Sequence, residues 1–135
     1  VMEAKDAEKR GLQAMGRFVA WAAAGCEPDE MGIGPVFAIP RLLERHNLKI
    51  DDIDLWELNE AFSSVVLTFM AALNIPHERI NVNGGAIAMG HPLGATGGMI
   101  LGTVIDELER QDKAVGLVTL CVAHGMGTAM IVERV

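Results

Sequence analysis

Runs of apolar residues along the chain are broken by short polar or glycine-rich segments, and their lengths predict alternating strands and helices. Residues 18–24 are uninterruptedly apolar, and 53–58 alternate between apolar and polar, as in strands of a covered sheet. The runs at 114–122 and 126–132 are rich in Val, Leu, Thr and Ile and flank a short turn, which predicts a β-hairpin. Residues 1–2 resemble the end of a further strand.

Helices are predicted between these strands, at 6–11, 35–46, 60–73 and 96–111. Residues 25–34 are predicted to form a loop, and Pro40 requires that the second helix begins late or is kinked. The third helix is apolar on nearly every side, which predicts that it is buried. The fourth carries no charge in its first half, so we expect that end to pack deep in the protein. Together the elements predict an α/β domain with a mixed sheet.

The composition narrows the possible classes of function. With 135 residues, 50% of them apolar and 21% charged, the chain has the composition of one ordered domain. The net charge of -7 disfavours a general nucleic-acid or anionic-membrane surface. Two cysteines without a metal-ligand spacing exclude a disulfide-dense scaffold and predict no metal site. The first six residues, Val-Met-Glu-Ala-Lys-Asp, do not have the pattern of a signal peptide.

Glycines and charges are distributed unevenly. Ten of the 15 glycines lie from Gly84 onward, and no Asp, Glu, Lys or Arg occurs at 80–105 or at 114–132. Either stretch is long enough to span a bilayer. However, polar residues such as Asn81 and His91 lie in the first stretch, and glycines interrupt both. We therefore interpret them as protein interior and site, and we expect no membrane span.

Three polar or reactive side chains stand where predicted elements end. Asn59, in Asn-Glu-Ala-Phe, follows a strand, where a side-chain amide can point into the crevice in which α/β sheets bind ligands; alternatively it only caps the next helix. His91 lies in the glycine-rich segment 83–97 and can act as a base near neutral pH; the alternative is a core histidine bonded to a backbone carbonyl. Cys121 precedes the hairpin turn and is a candidate nucleophile or proton donor, or a small buried hydrophobe.

Taken together, the motifs resemble the C-terminal half of the thiolases, the acyl-coenzyme A acyltransferases that make or cleave 3-ketoacyl thioesters. Signatures of that family are Asn-Glu-Ala-Phe, the Gly-His-Pro-x-Gly-x-(Ser/Thr)-Gly block around His91, and a Cys-x-Gly turn. The resemblance covers 1–135 and includes Met-Gly-Ile-Gly-Pro at 31–35. It implies a thiolase-like fold: one βαβαβαββ half with a mixed five-stranded sheet, helices on both faces and a truncated first strand.

The resemblance also implies roles for individual residues. His91 matches the histidine that activates the nucleophilic cysteine and helps to hold the thioester oxygen, and Asn59 matches the asparagine that positions a water in the same oxyanion hole. Cys121 matches the second catalytic cysteine, which moves a proton to and from the attacking carbon or the leaving thiol. Removal of a proton next to a thioester carbonyl creates an enolate, and the oxygen of that enolate requires preorganised hydrogen-bond donors. The substrate pocket is expected to include Met31, Phe62, Ala123 and Gly90.

Two positions depart from the family pattern, because Ala123 and His124 replace glycines in the turn after Cys121. Since alanine adopts a positive φ poorly, we expect Ala123 to reshape the turn while its N–H remains available to an oxyanion. His124 is interpreted as a surface residue or an additional acid/base group. Cys26 precedes Glu-Pro without a histidine nearby in the sequence, so we interpret it as structural and not as the missing nucleophile.

Thiolases take that nucleophile, much of the dimer interface and much of the coenzyme A pocket from an N-terminal half, which is absent from 1–135. We therefore expect this chain to be inactive alone, to pack on an N-terminal thiolase half and to form a homo-oligomer. Coenzyme A and its thioesters are the expected co-substrates, with no tightly bound cofactor and no nucleic acid. The expected location is the cytoplasm or an organelle matrix.

Two alternatives remain open. A ketoacyl-synthase-like condensing enzyme shares the architecture but lacks the second cysteine of the Cys-x-Gly turn, so Cys121 favours a thiolase. Asn59 favours the ordinary thiolases over the sterol-carrier type, which usually has a histidine at that position. The other alternative is a non-catalytic subunit or scaffold with the same fold, which Ala123 and His124 favour.

Overall fold

Nine principal helices and strands make up the computed structural model, which describes residues 1–135. In chain order they are α1 (Ala4–Lys9), β1 (Gly16–Gly25), α2 (Gly34–Arg45), β2 (Leu55–Leu58), α3 (Ser63–Leu73), α4 (Ala86–Met89), α5 (Thr96–Arg110), β3 (Val115–Val122) and β4 (Met126–Arg134). Short 3-10 helices span Pro28–Ile33, Ile50–Asp52 and His77–Arg79. The four strands form one sheet in the order β1-β4-β3-β2.

The register of the sheet brings two of the predicted motifs to one edge. β1 and β3 both pair with β4 in the antiparallel sense, whereas β2 is parallel to β3. Leu58, the last residue of β2, lies opposite Thr119, two residues before Cys121. Because parallel strands end on the same side of a sheet, Asn59 and Cys121 emerge close to one another.

Helices cover both faces of the sheet, and the strand residues alternate between the two cores. On one face, α2 packs on the sheet through a cluster that includes Ala38, Ile39, Leu42, Ala20, Leu117 and Ile131. On the other, α5 packs on the sheet through Ile100, Val104, Leu108, Leu55, Val118 and Val132. Burial of each larger aliphatic side chain stabilises the fold by about 1.5–3 kcal/mol.

The predicted α/β class, mixed sheet and helices on both faces are confirmed, but the sheet has four strands and not five. Residues 1–2 are exposed and precede α1 without forming a strand. At the edge of the sheet formed by β2, Ile80 pairs with Trp56 through a single isolated parallel bridge. Asn81 then adopts a φ of 47°, which turns the chain out of the extended conformation and ends the pairing after one residue.

Two helices are less buried than the sequence predicts. Only Val65 and Phe69 of α3 are buried, and Leu67 is 65% exposed. At the uncharged start of α5, Thr96 and Ile100 are buried but Met99 is 40% exposed. Each helix packs through one face, and this chain supplies no further layer for the other. The prediction that α3 is buried is therefore wrong for this chain, and the deep packing expected at the start of α5 is present on one face only, because apolar composition does not specify what covers a face.

The start of α2 touches the hairpin backbone to backbone. A Cβ on Gly34 would lie 2.2 Å from the carbonyl oxygen of Met126, and a Cβ on Gly127 would lie 2.1 Å from the carbonyl carbon of Gly34. Neither position therefore accommodates a side chain. The predicted loop at 25–34 includes the 3-10 helix Pro28–Ile33, which leads directly into this contact, and α2 continues past Pro40 as a helix.

Candidate functional site

A cavity of about 460 Å³ opens beside the carboxyl ends of β2 and β3. Six of the seven site residues predicted from the sequence line it, namely Met31, Asn59, Phe62, His91, Cys121 and Ala123. The seventh, Gly90, is not among the lining residues. It precedes His91 with a φ of 90°, which glycine adopts without strain, and so directs the chain into the cavity wall.

The side chain of Asn59 is buried at this cavity without a protein partner. Asn59 is 1% exposed, and neither its amide nitrogen nor its amide oxygen makes a hydrogen bond. Its backbone N–H donates to the carbonyl of Thr119 at 3.0 Å, which fixes the residue to β3. The alternative that Asn59 caps the next helix is wrong, because α3 begins at Ser63 with Phe62 in the cap position and no side-chain cap bond. A buried amide with both polar atoms free is prepared to bind a polar group that enters the cavity.

His91 is an exposed residue whose ring is anchored at one nitrogen. Its Nδ1 lies 2.7 Å from the hydroxyl oxygen of Thr96, which is buried at the start of α5. The side chain is therefore not a core histidine bonded to a backbone carbonyl, as the alternative interpretation requires. No protein hydrogen bond involves Nε2, which leaves that nitrogen for a ligand in the cavity.

Cys121 is partly buried at the end of β3 and lines the cavity. Burial raises the pKa of its thiol, and proximity to Cys26 acts in the same direction. A thiol with a raised pKa remains protonated near neutral pH, which suits a proton donor better than a resting thiolate. Cys26 does not line the cavity; its Sγ lies 3.7 Å from the carbonyl oxygen of Glu30.

The turn after Cys121 is formed by left-handed residues that do not include Ala123. His124 has a φ of 68° and Gly125 a φ of 87°, whereas Ala123 lies outside the positive-φ region. Ala123 therefore does not adopt the positive φ that alanine tolerates poorly, and His124 is the residue in the unfavourable conformation. The side chain of His124 is exposed and does not line the cavity.

Glu60 links the loop that carries His91 to the end of β2, a role that the sequence analysis missed. One carboxylate oxygen accepts from the side-chain amide of Asn81 at 3.0 Å, and the other accepts from the backbone N–H of Ile87 at 3.0 Å. The Asn81 amide in turn bonds both the N–H and the carbonyl of Leu58, at 2.8 and 2.9 Å. The only sequence signal was the position of Glu60 directly after Asn59.

Two buried carboxyl groups lie behind the site with opposite pKa shifts. Burial, reinforced by Glu60 and Glu107, raises the pKa of Glu57 to about 8. Hydrogen bonds from Arg110, Gln111 and Asn83 lower the pKa of Glu107 to about 2, against the effect of burial. Near neutral pH the first group is therefore largely protonated and the second is ionised.

The described chain has neither a metal cluster nor a membrane-spanning helix. No group of three or more His, Cys, Asp or Glu side chains is arranged to hold a metal ion. None of the helices combines the length and the apolar character needed to cross a membrane.

The fold is shared with solved structures named acetyl-CoA acetyltransferase and 3-ketoacyl-CoA thiolase. It superposes on the acetyl-CoA acetyltransferase of Bacillus anthracis with a TM-score of 0.96 and 40% identity, covering 99% of this chain and 34% of that one. It superposes on human mitochondrial 3-ketoacyl-CoA thiolase with a TM-score of 0.94 and 37% identity, covering 98% and 34%. The α/β architecture with a strand-end cavity is thus that of the thiolase fold.

A family model described as the thiolase C-terminal domain matches residues 12–134. The chain therefore belongs to the thiolase family, as its C-terminal domain. Over 99% of its length it is 45% identical to peroxisomal 3-ketoacyl CoA thiolase 1 of Petunia hybrida and 43% identical to cytosolic acetyl-CoA acetyltransferase of Mus musculus. It spans 29% and 34% of those two proteins, about a third of each.

Proposed function

We propose that this domain supplies half of a thiolase active site, which transfers an acyl group between 3-ketoacyl-CoA or acyl-CoA and coenzyme A by thiolysis or Claisen condensation. The observation that carries the proposal is that one cavity is lined by Asn59, His91 and Cys121 together. These three residues come from separate motifs up to 62 positions apart in the sequence. Their convergence supports a shared chemical task rather than three structural ones.

The proposed chemistry assigns each group a task that its surroundings support. The free amide of Asn59 positions a water or a thioester oxygen, because it is buried with no protein partner. His91 takes the proton of the nucleophilic thiol and afterwards donates to the oxygen on which negative charge develops. Cys121, whose thiol has a raised pKa, moves the proton on and off the acetyl carbon or the leaving thiol. Met31 and Phe62 line the acyl part of the cavity.

We further propose that the nucleophile comes from an N-terminal thiolase half and that this chain is inactive alone. Cys121 is the only thiol that lines the cavity, so a second, attacking thiol must come from outside this chain. Exposed apolar side chains near the cavity, with Phe62 62% and Leu93 86% exposed, support a covering partner. Coenzyme A acts as co-substrate, the assembly is a homo-oligomer, and the location is cytoplasm or an organelle matrix.

Thiolysis of acetoacetyl-CoA tests this proposal when it is measured on the chain alone and on the chain joined to or mixed with its N-terminal half. We expect turnover only in the second case. There, Cys121→Ala should lower kcat by at least about a hundredfold, because acid/base groups contribute about 10²–10⁴ in rate. Cys26→Ala is the matched control and should remain active, since Cys26 lies outside the cavity.

Each outcome distinguishes between the candidates. Turnover by the chain alone contradicts the proposed inactivity. Full activity of the Cys121→Ala protein contradicts the acid/base role and favours a non-catalytic thiolase-fold module. Condensation without any thiolysis favours a ketoacyl-synthase-like enzyme.

A further inference from the structure

The anchor of His91 is a buried hydroxyl group that the predicted site did not contain. Thr96 is 3% exposed, lines the cavity and is the first residue of α5. Its Oγ1 lies 2.7 Å from Nδ1 of His91 and 3.1 Å from the carbonyl oxygen of Pro92. A threonine hydroxyl has one hydrogen to donate and lone pairs to accept.

Only one arrangement of protons satisfies both of these contacts. The Pro92 carbonyl can only accept, so a Thr96 hydroxyl that keeps both contacts donates its hydrogen to that carbonyl and accepts from Nδ1 of His91. The ring nitrogen that donates is Nδ1, and a neutral imidazole carries only one N–H. Nε2 is therefore left with a lone pair. The carbonyl of Pro92 is itself held by the backbone N–H groups of Ala95 and Thr96, at 2.9 and 3.1 Å.

We propose that Thr96 is a positioning residue that holds neutral His91 in the Nδ1–H tautomer and so presents the lone pair of Nε2 as a base. Without an anchor, an exposed imidazole samples both tautomers and several ring orientations. Because the Thr96 hydroxyl is held in the first turn of α5, its hydrogen bond to Nδ1 fixes the orientation of the His91 ring relative to that helix. The tautomer is a property of this chain alone, whereas its use in catalysis rests on the proposed function.

The proton balance of the catalytic step follows from this tautomer. The S–H bond of the attacking cysteine in the N-terminal half breaks, its proton forms a bond with Nε2, and a thiolate and an imidazolium result. The imidazolium then carries N–H groups on both nitrogens. The Nδ1–H group keeps its hydrogen bond to the Thr96 hydroxyl, and the Nε2–H group donates to the oxygen of the thioester as negative charge develops there. An Nε2–H tautomer could not accept that proton at the same atom.

Nitrogen-15 NMR of the imidazole groups in the 135-residue chain tests the tautomer directly, at a pH where His91 is neutral. The His91 signals are assigned by their loss in His91→Gln. We expect Nδ1 to show the shift of a protonated ring nitrogen and Nε2 that of an unprotonated one. The opposite pattern in the wild-type chain overturns the proposal without any need for a variant.

Variants of Thr96 then test the cause. Thr96→Val keeps the shape and removes the acceptor, so the His91 shifts should move towards the averaged values of free imidazole, and Thr96→Ser should restore them. Thr103→Val is the matched control, because Thr103 makes the same bond to the carbonyl four residues earlier in α5, at 3.0 Å, away from the cavity. His91 shifts that are unchanged in Thr96→Val, or changed equally in Thr103→Val, overturn the proposal.

Kinetics in the presence of the N-terminal half test the catalytic consequence. Thr96→Val should lower kcat for thiolysis about tenfold to a hundredfold with KM little changed, and Thr96→Ser should recover most of it. A purely structural role predicts parallel losses in both Thr96 variants and no recovery. If the tautomer changes but kcat does not, the positioning role is wrong although the hydrogen bond is real. If wild-type protein lacks thiolase activity, the proposed function fails while the NMR result stands.

Discussion

The carboxylate of Glu60 occupies the space that any side chain on Gly85 would need. A Cβ on Gly85 would lie 2.2 Å from Cδ of Glu60 and 2.5 Å and 2.6 Å from its two oxygens. The same carboxylate bonds the backbone N–H of Ile87, in the helix that leads to His91. Glu60 can therefore hold the segment before His91 in this way only because residue 85 has no side chain.

Gly85→Ala is expected to displace Glu60 and loosen the His91 loop without changing any charged group. Because the displaced carboxylate ends a flexible side chain, the cost is chiefly that of its lost hydrogen bonds to Asn81 and Ile87, about 1–3 kcal/mol of unfolding free energy, and amide hydrogen exchange at Ile87 should accelerate. Gly102→Ala is the control, since a Cβ there meets nothing within 4 Å and alanine favours a helix interior. Equal exchange at Ile87 in wild type and Gly85→Ala would show that Glu60 does not brace the loop.

Asn59→Leu is expected to make the chain more stable and the assembled enzyme inactive. The substitution replaces two buried polar atoms that lack partners by apolar atoms of similar volume, which should raise the unfolding free energy by about 1–3 kcal/mol. Under the proposed function, loss of the amide that positions the water or thioester oxygen should lower kcat by about 10²–10³, as removal of an oxyanion-hole group does. Urea unfolding and thiolysis measured on the same preparations check both signs; a destabilised Asn59→Leu chain would mean that the amide is satisfied within the fold.

The stability of the chain should fall as the pH rises from about 4.5 to 8. Folding raises the pKa of Glu57 from 4.5 to about 8, so the folded state binds a proton that the unfolded state releases in this window. The linked loss is at most about 1.4 kcal/mol per pH unit. Glu107 acts in the opposite sense below this window, since its pKa of about 2 makes stability fall as the pH drops from 4.5 towards 2.

Urea unfolding at several pH values, with Glu57→Gln as the variant, measures this dependence. The variant should match wild type near pH 5, where the wild-type carboxyl group is already neutral, and exceed it near pH 8. Glu109→Gln, on the exposed side of α5, is the control and should keep the wild-type slope. If the unfolding free energy of the Glu57→Gln chain still fell as steeply with rising pH, groups other than Glu57 would be responsible for the pH dependence.

Sequence patterns predicted the elements of this site better than the contacts between them. The family motifs assigned Asn59 and Cys121 to one site, and the structure places them close together because β2 and β3 run side by side as a parallel pair and end on the same side of the sheet. Thr96 was missed because its role depends on where the ring of His91 lies, and Glu60 because its partner Ile87 is 27 residues away. Such contacts arise only from the packed chain.

Burial was the property that the sequence predicted least well. Val65 and Leu67 belong to the same apolar helix, yet one is 7% and the other 65% exposed. Composition identifies such a helix as apolar, but which of its faces is covered depends on the tertiary packing of the chain. Likewise, the sequence did not show that the positive φ values of the turn fall on His124 and Gly125 and not on Ala123.

The backbone contact between Gly34 and Gly127 has a consequence for the shape of the cavity. Met31 and Cys121 lie on opposite sides of that contact, one just before α2 and the other opposite Gly127 in the hairpin. Because no side chain lies between the two backbones, van der Waals contact of their peptide units sets the distance between the segments that carry Met31 and Cys121. Under the proposed function, selection among acyl groups then depends on the side chains that project into the cavity more than on movement of these two backbone segments.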